Sequence, residues 1–258
     1  MTTSPELQKL AHTLGVVPDR LAMLAPIPAQ DLRTLRAQIG EALFQADRAQ
    51  FAKVAALSKA IPTAVAAKLT QFALPPFLAA RTAELLEPHK AVDLVARIPD
   101  AYLADVAAKM DPERAAEVIR QIPAARVAKV AAELARRSEW IVIGSFVSHV
   151  NMPALAASVQ QFNPEQLLRI SFVLHDLNRL DAIAAELDTA QVDGMLAAAA
   201  DHSLWAELDQ MIGNLNADNI ARLAERYAAA PESVIAATKA AVKSKTFGKR
   251  SLARLDGA

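Results

Sequence analysis

Apolar residues along this chain recur three and four positions apart. Leu7, Leu10, Ala11 and Leu14 form one such stripe, and Leu32, Leu35, Ile39 and Leu43 form another. At that spacing side chains share one face of an α-helix. No long segment alternates apolar with polar at period two, aromatic residues make up 5% of the chain and only 7 glycines occur, so strand signals are missing. Prolines at 62, 75–76, 88, 99, 112, 123, 153 and 164 fall between the periodic segments. Proline is tolerated in a helix's first turn but costs about 3 kcal/mol in its interior, so this punctuation predicts helices of roughly 8–14 residues. Asp111-Pro112-Glu113 and Asn163-Pro164-Glu165 have the form of helix starts: a capping side chain, proline at the first helical position, and an acid in the first turn.

Composition strengthens the helical reading. The chain has 258 residues, of which 57 are Ala, the residue that favours helix most and lets neighbouring helices approach closely. With 53% hydrophobic residues there is ample surface for a core, which excludes intrinsic disorder. Trp140-Ile141-Val142-Ile143-Gly144-Ser145-Phe146-Val147 is apolar on nearly every side, and Leu167, Leu168, Ile170, Phe172, Val173 and Leu174 come close to it. Helices apolar all round are buried all round, so these two segments are expected at the centre of the core.

The most specific feature is an internal repeat. Placed without a gap, Glu87 to Met110 and Asp111 to Leu134 share nine identities, among them Pro88/Pro112, Ile98/Ile122, Pro99/Pro123 and Ala104/Ala128. Each unit reads as two short helices, each opened by proline. Ile61-Pro62 and Pro76 suggest a degenerate earlier copy, and Asn163-Pro164-Glu165 continues the theme downstream. Such a hairpin cannot bury its apolar stripe alone and must stack on its neighbours. The expectation is an all-α, right-handed superhelical array, α-solenoid-like, of about 12–15 short helical elements paired as hairpins. It occupies 1–238, with a subdivision near 150 that the apolar 139–150 segment argues against, and 239–258 follows as a flexible basic tail.

On these residues the run Glu87 to Leu134, with acid-Pro-x-x-Ala-Ala-x-Val in its second unit, resembles the N-terminal superhelical domain of MgtE magnesium transporters. Similar short-helix repeats occur in the flagellar rotor switch protein FliG, and the likeness extends over 60–170. In the transporter family this domain meets a cystathionine-synthase-type regulatory domain and helps sense magnesium through acids between them. The resemblance thus implies a superhelical fold and adds divalent-ion sensing as a third functional reading. Ion transport is not expected, because the sequence shows no transmembrane segment and leaves no room for a regulatory domain.

Charge is balanced overall but uneven along the chain: 1–175 is net +3, 176–232 is net −8 and 233–258 is net +5. The basic end, with Lys243, Lys245, Lys249 and Arg250, is a candidate surface for an acidic protein partner. It interleaves one aromatic residue, Phe247, where a nucleic-acid stacking surface would carry several, so no nucleic acid is expected. The start lacks the basic and apolar regions of a secretory signal, and the longest apolar stretch falls short of the ~20 residues that span a bilayer. A soluble cytoplasmic chain is expected.

Catalytic chemistry finds no support. There is no Cys. The histidines at 12, 89, 149, 175 and 202 form no pair suited to one metal on a helical face, and His175-Asp176 stands without partner elements. No nucleophile elbow, phosphate loop or dinucleotide fingerprint occurs. Asp93, Asp100, Asp105, Asp111, Glu113 and Glu117 alternate with Lys90, Arg97, Lys109, Arg114 and Arg120, a pattern of surface ion pairs. No catalytic residue, metal site or cofactor is expected. The primary reading is a non-catalytic scaffold or adaptor that binds another protein through its superhelical surface. The alternative is an apolar small-molecule site around 140–172, with Trp140, Phe146, His149 and Phe172 lining it and Ser145 and Ser148 as polar fixtures.

Overall fold

Prolines open many of the helices of this chain. A computed structural model describes residues 4–59, 61–174 and 176–257, and among these every regular element is helical. In chain order they are α1 (Pro5–Leu14), a 3-10 segment (Pro18–Leu24), α2 (Ala29–Lys59), α3 (Thr63–Ala73), α4 (Pro76–Ala83), α5 (Pro88–Val95), α6 (Asp100–Ala107), α7 (Ala116–Gln121) and α8 (Ala124–Arg136). Then come α9 (Trp140–Phe146), α10 (Met152–Val159), α11 (Pro164–Phe172), a 3-10 turn (Leu177–Arg179), α12 (Leu180–Ala185), α13 (Thr189–Asp201), α14 (Trp205–Asn214), α15 (Ala217–Ala228), α16 (Glu232–Lys243) and α17 (Lys249–Leu255). Pro62, Pro99 and Pro123 sit at the capping position of α3, α6 and α8. Pro76, Pro88 and Pro164 lie in the first turn of α4, α5 and α11, where the missing N–H would have been unpaired in any case.

Two helix starts came out differently from each other. Asn163 caps α11 as expected, in a reciprocal capping box with Gln166. Asp111 does not cap a helix beginning at Pro112. Its side chain accepts from the Glu113 N–H at 3.1 Å and takes Arg114 at 3.1 Å, and its own N–H donates to Glu84 at 2.8 Å. Those bonds hold 112–115 in turns, so α7 starts only at Ala116. The second large departure is α2, which has 31 residues. No proline falls between Pro28 and Pro62, so nothing in the backbone chemistry interrupts it.

The repeat is visible in the packing. α3 packs on α5, α4 on α6, α5 on α7, α6 on α8 and α8 on α10, and further along α11 packs on α13, α13 on α15 and α15 on α17. In these pairs a helix rests on the one two places later, as stacked hairpins require. The main core is centred on α9 to α14. Val142, Ile143 and Val147 are buried, as are Leu167, Leu168, Ile170, Phe172, Val173 and Leu174. α9 approaches the end of α11 so closely that a Cβ on Gly144 would lie 2.7 Å from the Val173 carbonyl oxygen, an approach that glycine alone permits.

The expected flexible tail is folded. α16 runs into it, Phe247 packs against Trp205 with ring centroids 5.8 Å apart, and Phe247 and Leu255 are buried. Gly248 donates its N–H to Asp209 at 3.1 Å, and Arg254 donates to the carbonyls of Ile212 and Leu215, which close the end of α14. Burying Phe247 and Leu255 contributes about 2 kcal/mol each, while the neighbouring lysines stay exposed to water.

Candidate functional site

Between the stacked helices runs a cavity of about 200 Å³, bordered from Val54 of α2 to Ile183 of α12. Leu94, Val106, Met110, Val130, Phe146 and Phe162 typify its wall. The Ala-rich repeat explains the space: small side chains such as Ala79, Ala91, Ala107 and Ala131 bring helices together but leave volume that Leu or Phe would fill. Clefts between helices with mostly apolar walls and a few polar groups are suited to apolar molecules.

Few polar side chains reach this wall: Thr70, Thr82, Arg126, Ser158 and Ser171. Ser158 and Ser171 donate back to the Ala154 and Leu168 carbonyls, both at 2.7 Å. Arg126 gives one terminal nitrogen to Asp100 and the other to the Val95 and Ile98 carbonyls, but its Nε has no partner. Thr82 is 5% exposed and its hydroxyl oxygen is unpartnered. Leaving a buried hydroxyl unpaired costs about 1–3 kcal/mol.

Of the residues proposed from sequence for a ligand, Phe146 lines this cavity. The structure does not bring the other three to it. Trp140 flanks the main core, Phe172 is buried within 164–174, and His149 points its Nε2 to Glu113 at 3.7 Å. Ser145 donates to the Val142 carbonyl at 2.7 Å, and the Ser148 oxygen is buried without a partner, off the cavity wall. The cavity is shared between the repeat and the 140–172 segment, which gives it Ile143, Phe146, Val150, Phe162, Leu167 and Ile170. Sequence reasoning reached only its 140–172 side, because the rest of the wall is contributed by Ile183 and by residues spread over 54–134, and no local pattern marks Thr82.

A second feature is on the surface. Val65, Leu69 and Phe72 follow one another at helical spacing on α3 and are 48%, 50% and 80% exposed, while Ala66 and Ala67 of the same helix are buried. Leu43 of α2 and Phe77 of α4 are also exposed. Lys243, Lys245, Lys249 and Arg250 lie exposed where α16 turns into α17, held there by the packing of Phe247 and Leu255.

The repeat acids hold the protein's own cations. Asp100 pairs with Arg126, Asp105 with Arg137, and Asp111 with Arg114. Glu84 receives Arg81 at 2.8 Å and the Asp111 N–H, yet burial still pushes its carboxyl above the usual range. The Arg114 guanidinium lies 4.0 Å from the centre of the Phe44 ring and pairs with Glu41. Among the described residues no three His, Cys, Asp or Glu side chains gather as a metal site; His175 lies outside them. No helix among them is long and apolar enough to cross a membrane.

Residues 49–139 match the family of the MgtE intracellular N domain. The match begins in the second half of α2 and ends before α9, so it takes in the exposed face of α3, both copies of the repeat and most of the cavity wall. Neither the curated proteins nor the solved structures contain a match to the chain.

Proposed function

We propose that this chain is a non-catalytic helical-repeat scaffold that binds another protein, and that the outer face of α3 is the contact. The observation that supports this reading is the stripe of Val65, Leu69 and Phe72. Single exposed apolar side chains are ordinary, but an aligned run of three large ones, with Phe72 almost bare, is the composition of a buried interface centre. Stacked repeats build extended surfaces of this kind. The match to a domain described as intracellular supports a location inside the cell.

The partner would present an apolar face of similar width. The exposed basic corner of Lys243, Lys245, Lys249 and Arg250 would draw an acidic segment, through a salt-sensitive rate of association. Phe72→Glu tests the reading. An exposed substitution changes stability by less than about 0.5 kcal/mol, so the variant should melt like the parent chain while losing partner binding. Retained binding would reject α3 as the contact.

A further inference from the structure

Four helical Thr and Ser side chains in this protein return their hydroxyl proton to the carbonyl one turn back. Thr13 donates to Lys9, Thr34 to Gln30, Ser158 to Ala154 and Thr238 to Val234, at 2.7 to 3.0 Å. Thr82 of α4 is helical and buried like Thr238, but its hydroxyl makes no such bond, and it stands on the wall of the apolar cavity. A second unpartnered polar atom, Nε of Arg126, belongs to the same wall.

Buried polar atoms are paired in nearly all native proteins, so each exception calls for an explanation, and here two of them stand on one apolar wall. We infer that the cavity is a binding site for an uncharged, hydrocarbon-rich molecule whose oxygen pairs with the Thr82 hydroxyl. Its charge follows from the wall. Among the described residues Arg126 is the only charged one on the wall, and Asp100 already neutralises it. A carboxylate would therefore enter an apolar space as an uncompensated anion, a costly arrangement, whereas an alcohol, ketone or ester oxygen would not. The Nε–H of Arg126 offers a further donor to a ligand with a second oxygen. This inference does not rest on the reading of α3 as a protein contact, although α3 gives Thr70 to the wall.

The test uses the full chain with 1-octanol, octane and octanoate as probes, titrated calorimetrically and by melting temperature. Saturable binding of octanol and octane is expected, with octanoate the weakest. Thr82→Val keeps the shape and removes the hydroxyl, so octanol should bind about three- to tenfold more weakly than to the parent chain, the range of one net hydrogen bond, with octane unchanged. Thr82→Ser should retain the octanol affinity, which separates hydroxyl loss from misfolding. Ala107→Met, which fills the cavity from α6, should weaken both. The inference is overturned if neither probe saturates, if Thr82→Val binds octanol as the parent does, or if octanoate binds best.

Discussion

The ammonium of Lys9 lies 3.2 Å from the carbonyl oxygen of Leu174, a residue 165 positions further along the chain. The same ammonium holds Glu6 at 2.7 Å, and Lys9 is only 2% exposed. Arg33 and Arg36 approach the same carboxylate from α2. One buried cluster thus joins α1, α2 and the end of α11, fixing the N-terminal helix outside the repeat onto the central core.

Removing one member should therefore cost more than removing the pair. Lys9→Met leaves Glu6 buried and short of its closest cation, and is expected to destabilise by about 3 kcal/mol. Lys9→Met combined with Glu6→Leu should cost clearly less. Urea unfolding of both variants measures the difference.

Acid should loosen the same cluster. Burial pushes the Glu6 carboxyl up, but the Lys9 hydrogen bond and the charges of Lys9, Arg36 and Arg33 outweigh it, and the group titrates below its ordinary value. A carboxyl lowered in the folded state contributes stability fully above its unfolded pKa, about 4.3, and loses it as pH falls through the lower folded value. Melting temperature should drop below about pH 4, and Glu6→Gln should flatten that drop while lowering the plateau at neutral pH.

At the α9–α11 crossing the constraint is steric. Gly144→Ala would set a methyl group 2.7 Å from a backbone oxygen, which cannot swing away as a side chain end could. The expected loss is about 1–3 kcal/mol, read as a lowered urea midpoint with an unchanged slope.

How much of this was legible beforehand varies by element. Hairpins at 88–107 were readable because Pro88 and Pro99 act locally, through a missing N–H and a fixed φ. The same reading fails at Pro112, where the Asp111 N–H is taken by Glu84 from a distant part of the chain and its carboxylate by Glu113 and Arg114 within the turn. The length of α2 was readable only from what 29–61 lacks. Phe247 and Leu255 were overlooked because four cations near them dominated the local composition, whereas their burial depends on Trp205 and α14, some 40 residues away in sequence. Of the four residues named for a ligand only Phe146 lines the cavity; Thr82 carried no signal, since its distinction is a bond it does not make.

The folded C-terminal segment yields a prediction opposite to that of a loose tail. Leu255→Ala should cost about 3 kcal/mol, the ordinary penalty for truncating a buried leucine, and truncation after Phe247 should lower the melting temperature. A melting curve unaffected by either change would show that α17 is undocked in solution.

The claim that matters most is that α3 meets another protein. Its direct measurement is photo-crosslinking in the native host, with a benzophenone side chain placed at Phe72 and, as a reference, at exposed Lys249. The account predicts one discrete heterologous adduct from position 72, lost when Leu69→Glu is added. No adduct from 72, or the same scatter of products from both positions, would contradict it.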